Sequence, residues 1–420
     1  VFVGAISTLL IFNQINIGTN LSLLWLFVAA FPLLRHYRLP LHRSTLLLIF
    51  FGVFAVKFAL FGNSSAVIRY VSYTVFVGAL LLSFKRRDYD LFFRGFEIGL
   101  AINTGFGIFQ MMGEVSGAYH AVFNPQAWNP HLWHANPPGG MFSAWPRVSG
   151  FANEPAYLGL LYVVNGAYRI FIAGKTTLTG IYGLYLFGAL VFLVNSRTSF
   201  YSYVFLAFAA SILYIRDERL AKPIAIVIYV LSFIIMPLYI IHGTSDARTL
   251  QELLTDDVSI FARAVPLHWA MNSDYISLSG YMIGVGDYTK FVSELPLPDD
   301  IYDAFVNQGM FADSKSLGGA YFYDLGFVGL ATFAALLAYI YGWRTRALLF
   351  FSIVNIGCFN IYAFSWPLFW ILVIAGTVTP ALAAERREAR RVTRKVTATA
   401  SALRGTPSRG GVPSAARVNS

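Results

Sequence analysis

The chain has 420 residues, of which 57% are hydrophobic and 12% charged, and its net charge is +10. With a mean hydropathy of +0.60, this composition excludes a string of soluble domains and predicts one polytopic membrane bundle. The positive charge is no sign of nucleic-acid binding, because nine of the cations lie in a tail from Arg386 to Arg417 that is poor in large apolar residues.

Apolar runs long enough to cross a bilayer recur along the sequence. They predict roughly twelve spans, at 1–12, 21–34, 44–62, 67–84, 91–112, 156–174, 178–194, 200–215, 223–241, 318–341, 348–365 and 366–383. The first run is short for a crossing and reads as clipped. Alternating sides puts 35–43, 85–90, 169–175, 216–222, 343–346 and 384–420 together, and these stretches hold 22 of the 31 lysines and arginines. The positive-inside rule makes that face cytoplasmic, with both termini on it. Lys57 and Arg94 fall within spans near their ends and read as snorkelling cations. Arg69, Arg147, Arg197, Arg248, Arg263, Lys290 and Lys315 remain on the outer side, where Arg69, Arg248 and Lys290 read as surface charges.

The predicted organisation is N-terminal spans over 1–112, a first outer loop over 113–155, central spans over 156–241, a large outer loop over 242–317, C-terminal spans over 318–383 and a basic tail over 384–420. Loops this long between packed spans are usually functional. The first mixes prolines with Phe123, Trp128, Trp133, Phe142 and Trp145, as an irregular layer at headgroup depth would. The second predicts helical pieces from about Ser245 to Leu254, over 258–265 and over 300–311, with Gly280, Gly284 and Gly286 breaking regularity between them. The tail predicts disorder, held near anionic lipid by Arg386, Arg387, Arg390, Arg391, Arg394 and Lys395.

Metal and nucleotide signals fail. His120, His131 and His134 share the first outer loop, but their spacing is loose and no outer cysteine supports them. Cys358, the single cysteine, lies in a predicted span and allows neither an internal disulfide nor a thiolate cluster. Asp88-Tyr-Asp90 has the D-x-D form of nucleotide-sugar transferases, but is predicted in a short inner loop with no nucleotide domain. Asp299-Asp300 reads as a helix start. No metal or cofactor is expected.

Four outer segments carry chemistry. They are Arg147-Val-Ser-Gly150-Phe-Ala-Asn-Glu154-Pro155, Asn195-Ser196-Arg197-Thr198-Ser199, Arg263 with Gly284-Val-Gly286, and Lys315-Ser316 with Gly326-Phe-Val-Gly329. Arginine forks pair with phosphate oxygens. Several at a membrane surface suit a lipid diphosphate, whose charge grows as a sugar leaves it. A base must then take the acceptor hydroxyl's proton. Glu154 is the candidate, and Lys315 serves if burial and neighbouring arginines keep it neutral. The plainer readings are an interfacial anchor for Arg197, a helix start at Glu154-Pro155 capped by Asn153, and close helix packing for Gly326 and Gly329.

Over roughly 145–330 these segments resemble, in order, the bacterial O-antigen ligase/polymerase family of membrane glycosyltransferases. Arg147-x-x-Gly150-x-x-x-Glu154-Pro155 is similar to the family's lead-in to a span, and Ser196-Arg197-Thr198 to its Ser-Arg hairpin. Arg263 followed by Gly284-Val-Gly286 resembles its Arg-to-G-x-G segment. Lys315-Ser316-x9-Gly326-x-x-Gly329 has the spacing of the ligase signature, with Lys315 where that signature has His. The resemblance implies an all-α, GT-C-like bundle under a partly helical periplasmic cap, and a metal-independent, inverting transferase. It implies that Arg197 and Arg263 hold the donor diphosphate, that Arg147 assists, and that Glu154 and Lys315 lie near the reacting sugars.

The expected function is therefore polymerisation of polyprenyl-diphosphate-linked repeat units at a bacterial inner membrane. Membrane lipids and a chain-length regulator protein are the expected partners, and nucleic acid is not. The alternatives are a ligase moving finished glycan to a lipid or protein acceptor, and a lipid-linked oligosaccharide flippase. A flippase should place ionisable residues deep at the midplane, whereas here they gather at the outer edge.

Overall fold

The computed structural model describes residues 1–9, 14–16, 20–22, 43–116, 146–152, 155–174, 178, 180–215, 217–245, 276–286, 288–295, 299, 317–359 and 366–378. Among them the chain is helical except for one short ladder. Helix α1 (Phe2–Thr8) has seven residues, far fewer than a crossing needs, and it lies against α4 (Arg86–Val115). Strands β1 (Gln14–Asn16) and β2 (Asn20–Ser22) pair antiparallel, Gln14 opposite Ser22. The ladder leaves the expected all-helical class in place and falls on the first residues of the span expected at 21–34.

Three helices among the described residues are long and apolar enough to cross a membrane: Arg43–Leu60, Ser64–Leu82 and Leu317–Ile340. They match the expected spans at 44–62, 67–84 and 318–341. The first is a 3-10 turn, Arg43–Thr45, leading into α2 (Leu46–Leu60). Asn63 then reverses the chain and caps α3 (Ser64–Ser83), its side-chain oxygen accepting from the Ala66 N–H at 2.9 Å. Helix α4 begins earlier than expected, because Asp88 accepts from the Lys85 N–H at 2.9 Å and closes a capping box. Asp90 accepts from the Tyr168 hydroxyl at 3.0 Å. The D-x-D pair therefore lies within the first turns of a helix and not in an inner loop.

Beyond α4 come α5 (Pro155–Ala167), α6 (Ile181–Gly188), α7 (Arg197–Ile212) and α8 (Glu218–Ser245). Two short helices follow, α9 (Leu278–Ile283) and α10 (Tyr288–Ser293). Next are α11 (Leu317–Gly319), α12 (Gly326–Ile340), α13 (Thr345–Gly357) and α14 (Pro367–Ala375). Helices α5, α6 and α11 each run on into a π-helical turn, at Tyr168–Ile172, Ala189–Val194 and Ala320–Leu325. Helices α13 and α14 are shorter than the spans expected at 348–365 and 366–383, and Cys358 ends α13 as a buried packing residue.

Helices α13 and α14 are buried on every side, as the centre of a bundle requires. Trp370 of α14 meets Phe51 of α2 edge-on at 4.9 Å and Phe369 at 5.0 Å. Polar bonds tie the helices where lipid and core are equally apolar. The Tyr321 hydroxyl donates to Asn355, whose amide donates to the Ser232 carbonyl at 3.0 Å, and the Tyr229 hydroxyl donates to the Ala334 carbonyl at 2.7 Å. The helices expected over 258–265 and 300–311, the piece from Ser245 to Leu254 beyond the end of α8, and the basic tail lie outside the described residues.

Candidate functional site

The Arg147–Ala152 segment is held from two sides. On α4 the Gln110 side chain clamps Gly150, accepting from its N–H at 2.8 Å and donating to its carbonyl at 3.4 Å. Two helical turns away, Asn103 accepts from the Phe151 N–H at 2.8 Å, and Phe151 stacks on Phe106 at 4.1 Å. Gly150 has φ +58, and a Cβ there would come within 2.7 Å of the Asn103 side-chain oxygen. Glycine is the residue that takes this backbone without strain.

From the other side, the Val148 N–H donates to the Leu193 carbonyl at 3.3 Å. Leu193 belongs to the π turn that ends α6, and the next residues are Asn195, left-handed at φ 47, and Ser196, the N-cap of α7. The segment carrying Arg147 and the hairpin carrying Arg197 are thus pinned to the same turn. Val148, Ser149, Asn195 and Ser196 are buried, Arg147 is half-buried and Arg197 is exposed. Arg197 opens α7, whose first turn holds no acidic residue and whose N-cap makes no side-chain bond. A cation at the positive end of a helix is poorly placed for helix stability. It does concentrate positive potential where amide N–H groups also point, which favours an anion.

A second cluster joins the two glycine motifs. Helix α9 ends at Gly284, with φ +81, and the π turn after α11 ends at Gly326, with φ +64. A Cβ on Gly284 would lie 2.5 Å from the Tyr323 carbonyl oxygen, and one on Gly326 would strike the backbone of Ile283 and Gly284. The two turns therefore pack backbone to backbone, and Gly326 permits close packing against a loop turn. Gly329 packs close to Phe54 of α2.

Lys57 holds this junction together. Its ammonium donates to the Ile283 carbonyl and, at 2.7 Å, to the Asp324 carbonyl. These carbonyls lie at the ends of two helical segments, where a cation is favoured. The same ammonium lies over the rings of Phe54, Phe58 and Phe61, 4.8 to 6.0 Å from their centroids. Asp324 is buried and accepts from the Tyr70 hydroxyl at 3.3 Å, and the Asn63 amide donates to the Gly286 carbonyl at 3.0 Å. Lys57 is thus a helix-end ligand and not a snorkelling cation. Its signal in the sequence is a lone charge in the apolar run Leu46–Leu60. Gly280 lies inside α9, where its N–H is capped by Ser277 at 3.2 Å, and does not break regularity. Val285, Tyr288 and Phe291 pack on Phe322, Tyr323 and Phe359, so this part of the large loop is folded onto the helix ends.

Of the expected site residues, Arg147 and Arg197 are brought to one turn. Glu154, Arg263 and Lys315 lie outside the described residues, as do His120, His131 and His134. Pro155 does open α5 as expected. No protein-family model matches this chain, and no curated protein or solved structure matches it.

Proposed function

We propose that this protein is a membrane glycosyltransferase that polymerises polyprenyl-diphosphate-linked repeat units into a surface polysaccharide. The observation that supports this reading best is the Val148–Leu193 hydrogen bond, which ties the Arg147 segment to the Arg197 hairpin as one anion-attracting corner. The ordered resemblance of four motifs supports it further. In this reading the chain is a bundle of roughly twelve spans of GT-C-like form in a bacterial inner membrane, with both termini cytoplasmic and a partly helical periplasmic cap.

Arg197, Arg263 and Arg147 hold the donor diphosphate. The acceptor hydroxyl attacks the anomeric carbon as the carbon–oxygen bond to the diphosphate breaks. The electron pair and the growing negative charge go to the leaving diphosphate, which fixed cations stabilise more than the ground state. The hydroxyl proton passes to Glu154, or to Lys315 if that amine is neutral. The Lys57 junction has a positioning role in this scheme, since it seats the Gly284 turn on Gly326.

The test is glycan chain length in a deletion strain complemented with wild type or Arg263→Ala, read on a gel. Single lipid-linked repeats extended by wild type and not by well-expressed Arg263→Ala support the polymerase. Full-length chains left on the carrier lipid indicate the ligase, and repeats trapped on the cytoplasmic face indicate a flippase. An unchanged glycan overturns the transferase reading.

A further inference from the structure

Two arginines at one end of the bundle converge on the glycine of one turn. Arg43 opens the 3-10 turn before α2, and Arg344 follows α12. The Nη1 of Arg43 and the Nε of Arg344 each lie 3.9 Å from the point that a Cβ would occupy on Gly342, and no other atom outside the turn's own neighbours approaches that point within 4 Å. Gly342 has φ +61, and its missing side chain leaves open a space that both guanidinium groups border.

Both cations are held in place by groups that leave their charge uncancelled. Arg344 donates through Nε to the Tyr341 carbonyl at 2.6 Å and through Nη2 to the Thr377 carbonyl at 2.9 Å. Arg43 lies over the Tyr339 ring at 4.9 Å. Among the described residues neither makes an ion pair with a carboxylate. Burial first, and then the Arg43 charge, push the Arg344 guanidinium below its ordinary range. Like charges that converge on one point, with Arg344 partly withdrawn from water and Arg43 exposed, repel unless an anion joins them. Tyr339 and Trp343 are 46% and 42% exposed beside them, at the ends of two helices able to cross a bilayer. Aromatic side chains with arginine at that depth mark the headgroup layer.

We propose that Arg43 and Arg344 bind one phosphate group over Gly342, supplied by an anionic phospholipid of the adjoining leaflet. Guanidinium forks suit phosphate oxygens, and the site belongs to the opposite end of α2 from Lys57. It does not depend on the proposed transferase activity.

The experiment is thermal denaturation of the detergent-purified full chain, titrated with phosphatidylglycerol, phosphatidylcholine or inorganic phosphate. The expected result is a rise in melting temperature with phosphatidylglycerol and none with phosphatidylcholine. Arg43→Gln should weaken the apparent affinity about fivefold or more, the scale of one basic residue near an anionic surface. Gly342→Asp supplies an internal anion at a φ that Asp tolerates. It should raise the lipid-free melting temperature and abolish the lipid response, whereas Gly342→Asn should not raise it. A response to inorganic phosphate alone, lost in Arg43→Gln, keeps the phosphate site and assigns it to a free anion. Equal responses to both lipids, or an apparent phosphatidylglycerol affinity unchanged by Arg43→Gln, overturn the proposal.

Discussion

Lys57 donates to the Asp324 carbonyl at 2.7 Å across a sequence separation of 267 residues. The same ammonium serves Ile283, so one cation closes the junction between the α2 end, the α9 turn and the π turn after α11. The Asp324 bond is partly buried and the Ile283 bond exposed, so losing the donor should cost at most about 1 kcal/mol per bond. Lys57→Met keeps the stem and removes the donors. It should lower the melting temperature of the purified protein and expose the 276–295 segment to limited proteolysis. A melt and a proteolysis pattern identical to wild type would show that the ammonium is dispensable.

The glycine pair offers a contrast within one protein. Gly326→Ala adds a methyl group where it strikes the backbone of Ile283 and Gly284, at a left-handed φ. Overpacking of this kind costs about 1–3 kcal/mol, with strain added. Gly52→Ala in α2 meets nothing within 4 Å and should stabilise its helix by up to about 1 kcal/mol. The two melts should therefore move in opposite directions.

Arg197 is exposed, so its replacement should shift stability by no more than about 0.5 kcal/mol. If it holds the donor diphosphate, Arg197→Ala should still lower chain extension by about 100-fold or more, the scale of one lost charge-stabilising donor. Arg197→Lys should recover part of that. Normal glycan length in a well-expressed Arg197→Ala strain would reduce the residue to an interfacial anchor.

Gln110→Leu removes both bonds to the Gly150 peptide, at 2.8 and 3.4 Å. The Arg147 segment should then keep only its Asn103 and Phe106 contacts on α4, and the Gly150 turn should loosen. Extension should fall while expression and membrane insertion persist, because the other side of the segment stays bound at Leu193. Pulse-labelled extension alongside a membrane-fraction blot separates the two effects.

Local signals carried a definite part of this protein. Apolar runs alone located the three helices able to cross a membrane, because hydrophobic length depends only on neighbouring residues. Pro155 marked a helix start, Ser196-Arg197 a turn, and Gly284 a break, because backbone preferences are also local. The partners of those breaks were not legible. No local rule tells that Gly326 seats Gly284, or that Gln110 clamps Gly150. The extent of α4 depended on an Asp88 cap within a charged stretch that reads as a loop. Lys57 is the clearest case: its position in the run suggested a cation reaching for water, and its two acceptors lie more than two hundred residues away. Only the packed bundle decides that choice, because it brings two helix-end carbonyls within hydrogen-bond reach of the ammonium.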